Sequence, residues 1–485
     1  MLKLPRNSVL LKAFVIGLLA MLMLIPLGMI EGLIAERASR RAEAVASVQA
    51  SFAGQQTVAL PFFVWPYVEH WTEQSVDAAN RVRVTQMSEP RQLVWFADQS
   101  QAHAEVAVKN DRYRGIHRVR TFESTISISG TATWPDRSQI KPTADGRRLV
   151  WGEPRLVLPI ADVRGLRGSP VINLDGRDVP FREGTQLPML AAGLHAPLAD
   201  SPGGSTARFS INMELAGTER LAFAPTATAS TVTVKSAWPD PHFGGSYLPR
   251  ERTVTASGFS AEWAISALAS GVQQQLRTLA SGTPLQRPST PLLQARFDAF
   301  EIDFIEAVNT YLLAERSAKH GALIIVLVFG ATFLLDVCAP GRSAPAPRGG
   351  TQRVWDGPAP LASTLRSLNA HPVQYGFVGL ALVIFFLLLL SLSEHIAFGL
   401  AYSIATAACT LLITYYLSYV LANRVRALGF GGALLLMYAT IYTILIAEDT
   451  ALLMGSALLF ATLAAAMLAT RKFDWRQMST GTKTG

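Results

Sequence analysis

Six stretches of this chain approach the roughly 20 consecutive apolar residues that a helix needs to cross the hydrocarbon core of a bilayer. They are Val9–Ile30, Ala322–Cys338, Tyr375–Leu392, Phe398–Leu421, Leu428–Ile446 and Ala451–Thr470. One lies near the start and five follow Gly321. The composition of the 485 residues, 50% hydrophobic and 16% charged, is therefore an average over two unlike parts. The pattern predicts a membrane protein of about six transmembrane α-helices, with a large extracytoplasmic domain inserted between helices 1 and 2.

The first block is too long for the h-region of a secretory signal, which runs ~7–15 residues. An Ala-x-Ala pattern exists at Ala44-Val45-Ala46, but it follows the charged stretch Glu36, Arg37, Arg40 and Arg41, well beyond the apolar block. The block reads as an uncleaved anchor.

Charge sets the orientation. Of the 43 Lys and Arg, 30 lie between Glu31 and Lys319, together with 29 of the 35 Asp and Glu, so the large domain is near neutral. The remaining basic residues, which dominate the net charge of +8, sit in alternate connections. Lys3, Arg6 and Lys12 mark the amino end, Arg342, Arg348, Arg353 and Arg366 the long late loop, Arg424 and Arg426 a short loop, and Arg471, Lys472 and Arg476 the carboxyl tail. Basic connections stay in the cytoplasm. Both termini are then cytoplasmic and the large domain periplasmic, in a bacterial inner membrane. The basic balance needs no nucleic-acid partner. The expected layout is a cytoplasmic tail at 1–8, a first span at 9–30, the periplasmic domain at 31–320, a second span at 321–339, a cytoplasmic Pro/Gly-rich loop at 340–374, a four-helix bundle at 375–470 and a cytoplasmic tail at 471–485. Both cysteines, Cys338 and Cys409, lie outside 31–320, so no disulfide supports that domain. Its length lets it bury a core without one.

Within the domain the periodicity changes. Ile30, Leu33, Ile34, Val45 and Val48 keep a helical spacing, so the first helix should continue to about Ala50. Thr125–Ser129, Phe209–Leu215 and Thr231–Lys235 then alternate apolar with polar. That is the mark of half-buried strands with one wet face and predicts a β-rich, antiparallel α+β domain. Near Phe297 the spacing of Phe300, Phe304, Ile305, Val308 and Leu312 suggests a long helix leading into the second span.

Catalytic patterns are few. Ser138-Gln139-Ile140-Lys141 fits S-x-x-K and Lys483-Thr484-Gly485 fits K-T-G, as in penicillin-recognising enzymes. The expected topology separates the two by the bilayer, and Ser138 lies between Pro135 and Pro142. No G-x-S-x-G, Walker A or H-E-x-x-H occurs, and no metal site or cofactor is expected. His242, in Trp238-Pro239-Asp240-Pro241-His242, reads as a turn histidine between strands. Two membrane features are candidate sites. Glu394 and His395 end one span and Glu448 and Asp449 sit in another outer loop, so carboxylates and an imidazole could gather at a membrane edge. Such groups also commonly just end spans. Tyr402, Thr406, Thr410 and Thr414 recur on one helical face, with Tyr438 and Tyr442 on the next span. Hydroxyls there more often join helices than line a path.

The chain resembles the inner-membrane CreD family, also called cell envelope integrity proteins. The resemblance rests on His371–Tyr375, Leu387–His395, Glu448–Ser456 and Thr470–Trp475. In the large domain it rests on Arg114-Gly115-Ile116, Asp162–Leu166, Trp238–Pro241 and Gly258–Trp263. It implies a role in envelope maintenance, with links to a two-component regulon, colicin tolerance and β-lactam response. It implies no reaction and no catalytic residues. The expected function is a non-enzymatic envelope protein whose periplasmic domain binds a protein or envelope ligand while the helices hold it in the lipid bilayer. The alternatives are a transporter or lipid-handling protein using the Glu394/His395/Glu448/Asp449 edge, and an enzyme acting on envelope polymer.

Overall fold

Alternation of apolar and polar residues builds most of what the structure, a computed structural model, shows between the first and second apolar blocks. It describes residues 8–76, 80, 82–280, 297–304, 310–337, 371–420, 424–447 and 451–470. The expected loop at 340–374 up to His371, the tail at 471–485 and the pair Glu448 and Asp449 lie outside them. The chain forms two compact units, Arg41–Ala307 and the combination of Met1–Arg40 with Val308–Gly485. These divide inside the expected 31–320.

The first unit holds three sheets. The largest has eight strands in the order β16-β17-β14-β4-β5-β12-β8-β9. They are β4 (Gln99–Arg114), β5 (His117–Thr133), β8 (Leu166–Leu174), β9 (Arg177–Pro180), β12 (Thr206–Thr218), β14 (Ala229–Ser236), β16 (Glu251–Thr255) and β17 (Gly258–Ser266). All neighbours are antiparallel except β14 and β4. In β12, Ala207, Phe209, Ile211, Met213 and Leu215 are buried, while Thr206, Arg208, Ser210, Asn212 and Glu214 are exposed. A one-residue slip would exchange these sets, so burial of one face fixes the register. The three alternating stretches predicted as strands lie in β5, β12 and β14.

A six-stranded sheet pairs β2 (Phe62–Val76) with β3 (Val82–Phe96), β6 (Arg148–Trp151) and β7 (Arg155–Leu158), and continues through β11 (Leu194–Pro197) to β10 (Arg182–Glu183). Trp65 on β2 packs against Trp95, Trp134 and Trp151, and its indole N–H donates to Gly152 O at 2.9 Å. The smallest sheet runs β1-β13-β18-β15, from β1 (Gln56–Ala59), β13 (Arg220–Ala224), β15 (His242–Gly245) and β18 (Phe300–Asp303).

The last of these strands corrects the helix expected from Phe297. Phe300–Asp303 lies between β13 and β15, with Phe300 and Ile302 buried. Two partners for its backbone and an alternating Phe-Glu-Ile-Asp outweigh a helical spacing that only longer windows display. His242 likewise opens a strand rather than a turn. A short helix, α2 (Val272–Ala280), buries Val272, Leu276 and Leu279 at helical spacing.

Glu69 on β2 shows how a loop is held to this framework. Its side chain is fully enclosed. It accepts from the Thr143 N–H at 2.6 Å and the Thr143 hydroxyl at 2.8 Å, with Arg91 at 3.1 Å and Arg147 at 3.4 Å. Burial favours the neutral acid, but the Thr143 donors and the two guanidinium groups outweigh it and hold the Glu69 pKa below the usual carboxylate range. The unfolded chain therefore takes up the proton first. The contribution is complete above the unfolded pKa and is lost as pH falls through the folded one. Glu69→Gln is expected to shrink the loss of stability between neutral and acid pH, and to expose residues 141–148 to protease at pH 7. Denaturant titrations across pH and limited proteolysis read both. An unchanged acid limb would refute this role.

The amino-terminal helix α1 (Ser8–Ser51) is unbroken, as its spacing predicted. Its last turns, within the first unit, end in a clasp. Arg164 pairs with Asp162 through two nitrogens, at 2.8 and 2.6 Å, and donates to Ala50 O at 2.6 Å and Gln49 O at 3.2 Å. A cation on the final carbonyls suits a helix C-terminus. Asp162 also accepts from the Gly54 N–H, and Gln56 donates to Asp162 O and Ala216 O. Arg114 donates to the Ser47 and Ser51 hydroxyls at 3.2 Å.

The second unit is helical, with α3 (Thr310–Lys319), α4 (Gly321–Val337), α5 (Pro372–Ser393), α6 (Phe398–Val420), α7 (Arg424–Ile446) and α8 (Ala451–Thr470). Four helices, α1, α5, α6 and α7, are long and apolar enough to cross a membrane. The bent pair α3 and α4 makes a fifth if counted as one span. α8 has a shorter apolar stretch, Leu453–Ala464. His371 caps α5, and Gln374 returns the bond to the His371 N–H.

Candidate functional site

At the end of α5, Glu394 is engaged rather than free. Its side chain is 12% exposed, with Arg37 Nε of α1 at 3.8 Å and the Tyr311 hydroxyl of α3 at 3.3 Å. One carboxylate thus ties three helices. His395 beside it is exposed. Because Glu448 and Asp449 lie outside the described residues, the expected gathering of all four has no geometry here.

The polar face of α6 packs against α7. The Tyr402 hydroxyl donates to Tyr438 O at 2.8 Å, and the Tyr402 and Tyr442 rings lie 5.0 Å apart. The Tyr438 hydroxyl is 3.7 Å from Cys409 Sγ. The hydroxyl oxygens of Thr406, Thr410 and Thr414 are buried, with no hydrogen-bond partner among the described residues. A cavity of about 570 Å³ among α4, α7 and α8 is lined by other residues, including Leu327, Phe430, Met437 and Leu458. The sequence-predicted hydroxyl face therefore meets a neighbouring helix instead of that cavity.

In the β-rich unit, Asp303 lies on one rung with Arg220 and His242, across β13, β18 and β15. Its carboxylate takes Arg220 Nε at 2.6 Å and faces His242 Nδ1 at 3.3 Å. Arg220 also pairs with Glu301 at 2.8 Å. Neighbouring Glu219 adopts φ +63°, and burial, more than the pull of Arg41 and Arg120, raises its pKa above the usual range. Among the described residues no serine, threonine or cysteine hydrogen-bonds to His242. The group clamps three strands.

The site that sequence reasoning missed is a groove of about 890 Å³ on the exposed face of the eight-stranded sheet. Ser260, Lys235, Glu105, Thr125, Glu214 and Arg167 come from six strands and pair in that order along one rung. All six line the groove. Small side chains, Ala107, Thr125 and Ser260, leave the space that the longer charged ones surround. Read across the strands, the charge runs positive, negative, neutral, negative, positive. Among the described residues Lys235 and Glu214 enter no ion pair, and Glu105 has only His103 at 3.8 Å. Arg167 lies 5.0 Å from the Phe52 ring. The alternation of each strand was the available signal, but the rung exists only once strand order and register are known.

Comparison with known proteins agrees with the resemblance in the sequence. The chain is 28% identical over 462 residues to the inner membrane protein CreD of Escherichia coli (strain K12), covering 95% of this chain and 92% of that one. Likenesses to solved structures are weak. A Legionella pneumophila crystal structure (lpg2210) gives TM-score 0.29 at 5% identity, over 60% of this chain and 87% of that one. An M1 zinc metallopeptidase from Deinococcus radiodurans gives 0.20 at 12% identity, over 43% and 42%. At such scores neither bears on fold or chemistry. The family described as Inner membrane protein CreD matches residues 8–345 and 360–476, and the chain belongs to it.

Proposed function

We propose that this chain is a non-enzymatic envelope-integrity protein, held in the bacterial inner membrane by about six spans with both termini cytoplasmic. Its β-rich unit faces the periplasm and binds an envelope partner or ligand. The groove carries this reading. It gathers charged side chains, of which Lys235 and Glu214 enter no ion pair among the described residues, around a floor of small side chains, on a face that the core does not need. Charged side chains used only for solubility do not require such an enclosure, whereas ligand sites are concave with a few placed polar groups. The alternating basic connections support the orientation. A transport reading built on Glu394 fits less well, because its carboxylate is taken up by Arg37 and Tyr311. An enzymatic reading finds no serine, threonine or cysteine hydrogen-bonded to His242 among the described residues.

The test reverses the groove while leaving the core alone. Cells carrying Lys235→Glu, Arg167→Glu and Glu214→Lys together are expected to lose tolerance to envelope challenge, with the variant at normal abundance in the membrane. All three side chains are exposed, so folding should survive. Full tolerance in the reversed variant would overturn the proposal.

A further inference from the structure

Resting on the reading of the groove as a binding face, we infer that it receives a small soluble molecule carrying an amine-and-acid zwitterion at each end. The order of charges decides this. Lys235 neighbours Glu105 on the adjoining strand, and Glu214 neighbours Arg167. Adjoining strands lie about 4.8 Å apart, so each pair sets a cation beside an anion, and one zwitterionic end can meet both. The two acids are separated by the strand that bears Thr125, hence by about 10 Å. The ligand that mirrors this order has its amines inward, over Glu105 and Glu214, and its acids outward, over Lys235 and Arg167. Thr125 leaves room for a neutral linker between them. The volume of the groove falls in the range of small-molecule sites, about 300–1,000 Å³.

The same order argues against other occupants. A polyanion meets two carboxylates at the centre, and a polyamine meets cations at both edges. A second copy of the sheet laid face to face over the rung sets like charge on like in either direction, since the order is symmetric about Thr125. A single zwitterion fills one half of the groove and gains nothing from the other, whereas a linked pair binds its second end intramolecularly.

Calorimetric titration of the full chain in detergent micelles, at low salt, tests the inference with four related probes. These are 2,7-diaminosuberate with two zwitterions, suberate with two acids, 1,8-diaminooctane with two amines, and alanine with one zwitterion. Diaminosuberate is expected to bind at least tenfold more tightly than each of the others. Lys235→Met or Glu105→Gln should weaken it about fivefold, the most that one exposed ion pair supplies. Either substitution should also bring it toward the affinity of alanine. Equal affinities across the four, or no loss in either variant, would overturn the ligand class. If no probe binds yet the charge-reversed chain loses envelope tolerance, the zwitterion assignment fails while the groove stands. If tolerance also survives, the groove itself fails.

Discussion

Replacing Gly165 with alanine is expected to lower the stability of the β-rich unit by about 3 kcal/mol, the upper part of the range for an overpacked site. Gly165 follows Arg164 of the clasp and lies against Ala216 of β12 and Gln56 of β1. A Cβ there would meet Ala216 O at 2.1 Å and Gln56 Nε2 at 2.3 Å. The first is backbone in β12, a strand paired on both sides, and it cannot yield without disturbing the register. The second is the amide that joins Asp162 O to Ala216 O. Moving it strands the buried Ala216 carbonyl and the partly buried Asp162 carbonyl, and loosens Asp162, which holds both the Gly54 N–H and Arg164. The end of α1 then loses the guanidinium on Ala50 O and Gln49 O. Gly168 provides the comparison. It adopts φ +74°, and a Cβ there would meet nothing within 4 Å, so Gly168→Ala costs only the strain of a left-handed alanine, about 1–2 kcal/mol. Thermal unfolding of both variants in detergent, followed by tryptophan fluorescence, separates them. Gly165→Ala should melt several degrees below Gly168→Ala, and equal melting temperatures would remove the clasp from the account.

What the sequence made legible follows from how far apart the cooperating residues are. Phe209–Leu215 declares its own burial, because seven consecutive residues carry the alternation and the core needs no more than that. The apolar blocks and the reach of α1 to Ser51 are similarly local. Phe300–Asp303 failed for the opposite reason. Four residues alternate, but Phe297, Phe300 and Phe304 around them are spaced as on a helix, and only pairing with β13 and β15 decides between the two. The groove failed more completely. Glu105, Glu214 and Arg167 are ordinary polar positions in their own segments, and their order across the sheet depends on the pairing of β4 with β5, β5 with β12 and β12 with β8, with Lys235 added by the parallel pairing of β14 with β4. Glu394 was legible as an acid at the end of an apolar stretch. Its partners Arg37 and Tyr311, far away in sequence, turn it from a lone charge into a tie between helices.

The contact between α6 and α7 makes an equally sharp demand on one of two adjacent glycines. A Cβ on Gly431 would lie 2.2 Å from Thr414 Oγ1 and 3.2 Å from Thr414 Cβ, whereas one on Gly432 meets nothing within 4 Å. Small residues let membrane helices approach closely, and that approach supplies much of their association. Thr414 cannot simply swing aside, since a β-branched side chain has few rotamers in a helix. Gly431→Ala is therefore expected to destabilise the helical unit by about 2 kcal/mol. Gly432→Ala should be neutral or slightly stabilising, because alanine is the better helix former. Thr414→Ala supplies the decisive step. The hydroxyl it removes is buried with no hydrogen-bond partner among the described residues, so the single change should cost little. Combined with Gly431→Ala it frees the space the new methyl needs. The double variant should recover most of the lost stability in an SDS unfolding titration, giving a coupling of about 1–2 kcal/mol between the two positions. Additive losses would mean that the helices do not meet there. Recovery would assign the threonine face of α6 to packing against α7, and leave any passage through the membrane to be sought elsewhere in the bundle.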